Sequence, residues 1–206
     1  MASPAKQVLP EGPRKALRAQ LFPDRDGVQT YAILDGASVP GLVERLHGGT
    51  TDYACLYRGE LEPDIAEVAP YLCRLERDGP FTDWLLADGW GNHWGVFALS
   101  RAGLAGLRRH LRQFLLVRGP DGRQLYFRYY DPRVLRAYLP TCNGEELETV
   151  FGPIDEFLFE GKPASELMRF SVPGDVLRKQ SMSLFAPMRD AAAPAAAAAA
   201  AATGGA

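Results

Sequence analysis

Residues 94–117 read WGVFALSRAGLAGLRRHLRQFLLV, and their pattern sets the fold class. Trp94 to Leu99 is a short apolar run of strand type. Ser100 suits a helix cap, and Leu104, Leu107 and Leu111 then recur within about 60° of arc at helical spacing. Phe114 to Val117 returns to strand. Upstream, the same alternation predicts a strand over Tyr31–Leu34, stopped by Asp35-Gly36, and a helix through Leu42, Val43 and Leu46 with Ser38 as its cap. Strands follow over Tyr53–Tyr57 and Tyr71–Leu75, with short helices over Leu61–Val68 and Phe81–Leu86. Downstream, Gly119-Pro-Asp-Gly122 predicts a hairpin joining Phe114–Val117 to Leu125–Tyr130. Pro132 opens a helix with Asp131 as its cap, and Glu145–Val150 forms another. Phe157–Glu160 and Leu167–Val172 add strands. Short helices alternating with strands, followed by a hairpin, predict an α/β domain with a mixed sheet.

The chain has 206 residues, enough for one domain with a small appendage. At 47% hydrophobic and 23% charged residues it has a globular balance, which argues against a disordered or fibrous chain. Residues 1–27, with Pro4, Pro10, Pro13 and Pro23, read as a mobile arm in which only Ala16–Phe22 suits a helix. The α/β domain is expected over 28–160, a small C-terminal extension over 161–189, and a disordered alanine-rich tail over 190–206. No secretory signal and no membrane span are expected.

The net charge of −2 conceals blocks. Nine acids face three basic residues from Asp52 to Asp88, nine arginines face Asp121 and Asp131 from Arg101 to Arg136, and seven acids face Lys162 from Glu145 to Glu166. Such blocks either complement one another within the fold or leave a basic face that steers an acidic partner.

Signals for chemistry are sparse. His47, His93 and His110 have no metal-ligand spacing, and Cys55, Cys73 and Cys142 make no CxxC pair, which fits reduced cytosolic thiols. Cys55 and Cys73 lie in strands, where thiols act as small hydrophobes; Cys142, in a loop, is the one candidate nucleophile. Asp35 and Asp131 close strands and are candidates for an acid–base pair, although each also suits turn or cap chemistry. Gly89-Trp-Gly-Asn92 lacks the pattern of a phosphate loop. Arg133, in the first turn of its helix, opposes the dipole, so a carboxylate partner is expected, an internal one in preference to one on a bound protein.

Four stretches carry a family resemblance: YAILDGA (31–37), APYLCRLE (69–76), WGVFALS (94–100) with its leucine/arginine helix, and above all LYFRYYDPRVLRAYL (125–139). They resemble, in order, the effector-adaptor chaperones of type VI secretion, the Tap/Tec proteins, over Tyr31 to Ile154. The resemblance implies a non-enzymatic cytoplasmic protein that binds one cognate secreted effector and helps load it onto a VgrG-type spike. It implies no cofactor, no metal, no nucleic acid and no membrane. The residues expected to meet a partner are Arg108, Arg109, Arg112, Arg128, Tyr130, Asp131 and Arg133. The competing readings are a hydrolase using Asp35 and Asp131 or Cys142, and a nucleic-acid-binding module using the arginine block.

Overall fold

Strand β1 (Gln29–Asp35) is the middle of the molecule, and six of its seven residues are buried. In the computed structural model, which describes residues 8–119 and 121–185, it pairs on one side with β3 (Pro70–Leu75) and on the other with β4 (Gly95–Ser100). Short β2 (Tyr53–Cys55) pairs with β3, and β7 (Ile154–Glu160), β8 (Glu166–Ser171) and β9 (Arg178–Ser183) continue beyond β4. The seven-stranded order is β2-β3-β1-β4-β7-β8-β9. The expected α/β domain is present, with one correction. The sheet is antiparallel at every pairing rather than mixed. Apolar runs such as VFAL and YAIL resemble strands of a parallel sheet because both faces of this antiparallel sheet are covered.

Alternation along β1 sends Ala32 and Leu34 into one layer and Tyr31 and Ile33 into the other. The first layer is closed by α1 (Glu11–Leu21), α2 (Leu42–Gly48) and α4 (Pro80–Trp84), the last running into a π-helical turn over Leu85–Gly89. α5 (Leu104–Leu111), α6 (Pro132–Tyr138) and α7 (Gly144–Phe151) close the second through Leu107, Leu111, Leu135, Leu147 and Phe151. The remaining helix, α3 (Pro63–Val68), buries none of its residues.

Residues 8–27 are not simply an arm. α1 buries Leu17 and Leu21 completely, and Leu9 donates its N–H to the Ala87 carbonyl at 2.9 Å. Its prolines are compatible with a helix because Pro10 is the N-cap residue and Pro13 lies in the first turn, where no intrahelical N–H bond is lost. Arg169 of β8 reaches the Gln20 side chain at 2.8 Å, and Arg25 pairs with Glu156 of β7 at 3.0 Å, so the N-terminal helix is fastened to the late strands. Beyond residue 160, β8 and β9 are likewise part of the main sheet. β9 was illegible because RKQSMS has no apolar alternation and lies exposed at the edge. The alanine-rich stretch 190–206 lies outside the described residues.

Two expected caps have other roles. Ser38 donates its hydroxyl to Asp35, while α2 starts after Gly41 in the left-handed conformation at φ 67°. Ser100 donates to the Pro153 carbonyl at 2.6 Å, and α5 starts after Gly103. The predicted hairpin forms as a separate two-stranded ribbon, β5 (Leu116–Arg118) with β6 (Gln124–Tyr126), closed by Gly122 N–H to Gly119 C=O at 2.9 Å. β6 ends at Tyr126, four residues earlier than expected. The chain then turns, and the consecutive residues Tyr129 and Tyr130 are both buried, which a strand with one exposed face does not allow.

Replacing Leu17 by Ala removes a fully buried side chain from the helix–sheet interface. A loss of about 2–5 kcal/mol is expected, read as a melting temperature several degrees lower. A melting curve unchanged from wild type would show that α1 is not part of the cooperative fold.

Candidate functional site

One edge of the sheet gathers most of the charged residues that the sequence singled out. It lies where β1 ends, β4 begins and β7 ends, and the segment from Phe127 to Arg133 crosses it. Asp35 closes β1 with only 2% of its side chain exposed. Its carboxylate accepts from the Ser38 hydroxyl at 2.7 Å and the Ala37 N–H at 3.3 Å, and it forms an ion pair with Arg128. Asp131, 5% exposed at its side chain, caps α6 by accepting the Arg133 N–H at 2.9 Å. Arg133 also returns its guanidinium to the same carboxylate, Nε at 3.0 Å and Nη2 at 2.7 Å. The internal partner expected for Arg133 is thus its own N-cap.

The structure brings Asp35 and Asp131 to one place, with Arg128 in the field of both. Each carboxylate already accepts from a guanidinium, which is the arrangement of structural ion pairs. Burial disfavours the ionised form of Asp131, but the hydrogen bonds and charge of Arg133 outweigh it and hold the carboxyl below its ordinary value. Burial followed by the neighbouring Tyr57 and Asp35 pushes the hydroxyl of buried Tyr130 upward.

A third carboxylate at this edge escaped the sequence reading. Glu160, at the end of β7, is 4% exposed at its side chain and accepts from the N–H groups of Gly91 and His93 and from His93 Nδ1. Burial raises its pKa, opposed by the His93 charge and these hydrogen bonds. The Gly89–Asn92 turn, unlike a phosphate loop in sequence, thus presents backbone N–H groups to an anion supplied by the protein itself. His93 adopts φ 57° there, and Arg136 donates to the Glu160 carbonyl at 3.1 Å. The only sequence signal was an acid ending the apolar run FLFE.

The arginines of α5 occupy a different place. Arg108 donates to the Cys55 carbonyl and Arg112 to the Leu56 carbonyl, both at 2.9 Å, and Arg112 also bonds the Tyr57 carbonyl. They fix the loop that follows β2. Arg109 is exposed and has no partner among the described residues. Cys142 follows a single 3-10 turn and directs its thiol to the Tyr138 carbonyl at 3.6 Å. Burial, then the nearby Glu146 charge, pushes this thiol up against the lowering effect of Tyr138, so the thiolate that a nucleophile needs is disfavoured. His110 meets the Val150 carbonyl at 2.9 Å, and burial lowers its pKa. Among the described residues no three His, Cys, Asp or Glu side chains converge as metal ligands, and no helix is long and apolar enough to cross a membrane.

Fold and site together define an α/β domain whose buried acids are held by its own donors. The profile of the family described as "Domain of unknown function (DUF4123)" matches residues 30–149, and the chain belongs to that family. The matched segment runs from β1 into α7. No curated protein and no solved structure matches the chain.

The Asp131–Arg133 tie has a definite pH dependence. Its folded pKa lies below the unfolded value near 4, so its contribution is complete above that value and is lost as pH falls through the folded one. Asp131→Asn keeps a capping side chain but removes the charge. Denaturant unfolding should find the variant weaker by about 1 kcal/mol at pH 7, with the gap closing below about pH 4. A gap that stays constant with pH would rule out the ion pair as its source.

Proposed function

We propose that this chain is a cytoplasmic, non-catalytic adaptor that binds a cognate type VI secretion effector and helps load it onto a VgrG-type spike. Membership in the DUF4123 family fits the resemblance of its sequence blocks to the Tap/Tec adaptors. The observation that carries the reading is the distribution of polar and apolar groups. The carboxylates proposed for hydrolysis, Asp35 and Asp131, are buried and held by Arg128 and Arg133, whereas large apolar side chains stand exposed on the β5–β6 ribbon. Exposed apolar groups beside charge suit recognition of another protein.

Of the expected partner residues, Arg109, Arg128 and Arg133 are exposed. Arg108 and Arg112 are half-buried against the loop after β2, and Tyr130 and Asp131 are buried. We infer that the last two act by holding the surface in shape rather than by touching a partner. With Arg128 and Arg133 matched to acids, the arginine block is also less suited to phosphates than its sequence implies.

The full chain, tagged and co-expressed with the proteins encoded beside its gene, should retain a large toxin or a spike protein after nuclease treatment. Recovery of nucleic acid alone, or of nothing, would overturn the adaptor reading. Substituting Cys55, Cys73 and Cys142 by serine should leave capture intact, at a stability cost on the order of 1 kcal/mol for buried Cys73. Loss of capture by a stably folded Cys142→Ser variant would return the thiol to consideration.

A further inference from the structure

The β5–β6 ribbon has a residue pattern at odds with its position. An isolated two-stranded ribbon is marginal in water unless a face is packed, and a half-buried one alternates apolar with polar residues. Here both faces are apolar. Val117 opposes Leu125 on one face, and Leu116 opposes Tyr126 on the other. Their exposures are 37% and 50%, then 48% and 66%. Four of the nine exposed large apolar side chains among the described residues therefore lie on six residues of ribbon.

An independent observation is the charge at its root. Among the described residues, Arg108, Arg109, Arg112 and Arg118 have no carboxylate at ion-pair distance, whereas Arg128 and Arg133 of the candidate site each have one. Arg108 and Arg112 give their N–H groups to backbone carbonyls, which fixes the side chains but leaves their charge uncompensated. Burial and the charges of Arg108 and Arg58 hold Arg112 below its ordinary pKa, against the nearby Cys55. Arg112 also bonds the carbonyl of Tyr57, whose ring lies 6.0 Å from that of Tyr126. Positive charge thus stands directly beside an exposed apolar face.

We propose that the β5–β6 ribbon and the arginine-bearing side of α5 form one docking surface for an acidic protein segment that also carries apolar side chains. The proposal deepens the adaptor reading and rests on it for the nature of the partner. A carboxylate-rich apolar segment that wraps the ribbon answers both observations at once, since its acids meet the unmatched arginines while its side chains cover Leu116 and Tyr126 on one face and Val117 and Leu125 on the other. A nucleic-acid strand would satisfy the charge and leave the aliphatic residues in water.

The test uses the full chain, Leu125→Asp and Arg118→Glu on the ribbon, and Ile65→Asp on α3 as a control at another exposed apolar position. The probes are a labelled peptide of alternating glutamate and leucine, its lysine counterpart, and a mixed-sequence single-stranded RNA. Wild type should bind the acidic peptide alone, more weakly as salt rises. Both ribbon variants should weaken binding about tenfold or more with an unchanged melting temperature, and the control should not. Effector capture should follow the same order. Ribbon variants that bind peptide and capture effector as wild type does would overturn the surface and leave the adaptor reading standing. Peptide binding at the ribbon without any effector or spike capture would do the reverse. Preference for RNA, no binding of the acidic peptide, or a wild-type dimer that Leu125→Asp dissociates would each overturn the proposal.

Discussion

Asp35 ends the most buried strand of the protein, and an ionised carboxylate there must recover the water it has lost. Its donors come from two places: the Ser38 hydroxyl and the Ala37 N–H in the turn after β1, and the Arg128 guanidinium from far along the chain. Removing charge from water costs several kcal/mol per ion unless such partners are supplied. The requirement therefore dictates where the segment after β6 crosses the sheet edge. Once Arg128 is placed, Tyr129 and Tyr130 are drawn inward, and Asp131 arrives where it starts α6. Glu160 imposes the same kind of constraint from β7 on the loop through His93. The loops of this edge are shaped by the needs of buried anions.

Much of the second helical layer was legible in the sequence because its signals are local. Leucines at helical spacing gave α5 and proline after a capping aspartate gave α6, whereas the reciprocal cap of Asn143 and Glu146 on α7 went unread although it too is local. What else failed was non-local. Ser38 and Ser100 resemble caps in isolation, but Asp35 and the Pro153 carbonyl claim their hydroxyls. Strand direction was misread because apolar runs report burial on both faces without reporting polarity of pairing. Nothing in RKQSMS announces an edge strand, whose exposed residues need no apolar pattern.

The candidate site was legible in its residue types more than in their roles. FRYYDPR, singled out in the sequence, supplies Arg128, Asp131 and Arg133 to the ion pairs of this edge, and Arg133 has its expected internal carboxylate. Yet the strand expected to run to Tyr130 ends at Tyr126, and Tyr130 is buried. Treating the arginines as one block hid a division of labour. Arg128 and Arg133 neutralise acids, Arg108 and Arg112 hold carbonyls, and Arg109 is exposed. Glu160 and His93 were missed because 67 residues separate them and neither belongs to a recognisable spacing.

The position of β7 in the strand order has a consequence for the chain as it is being made. β4 pairs with β1 on one side and with β7 on the other, so a nascent chain that has completed residues 29–100 leaves one border of its central sheet unsatisfied until 154–160 emerge. The α5–α7 layer, synthesised in between, packs against that unfinished sheet, and the loop through His93 waits for Glu160. The matched family segment stops just short of this closing strand. A nascent chain halted after residue 149 would carry the family's sequence signature in full and still present the bare border of β4 to any strand that came near.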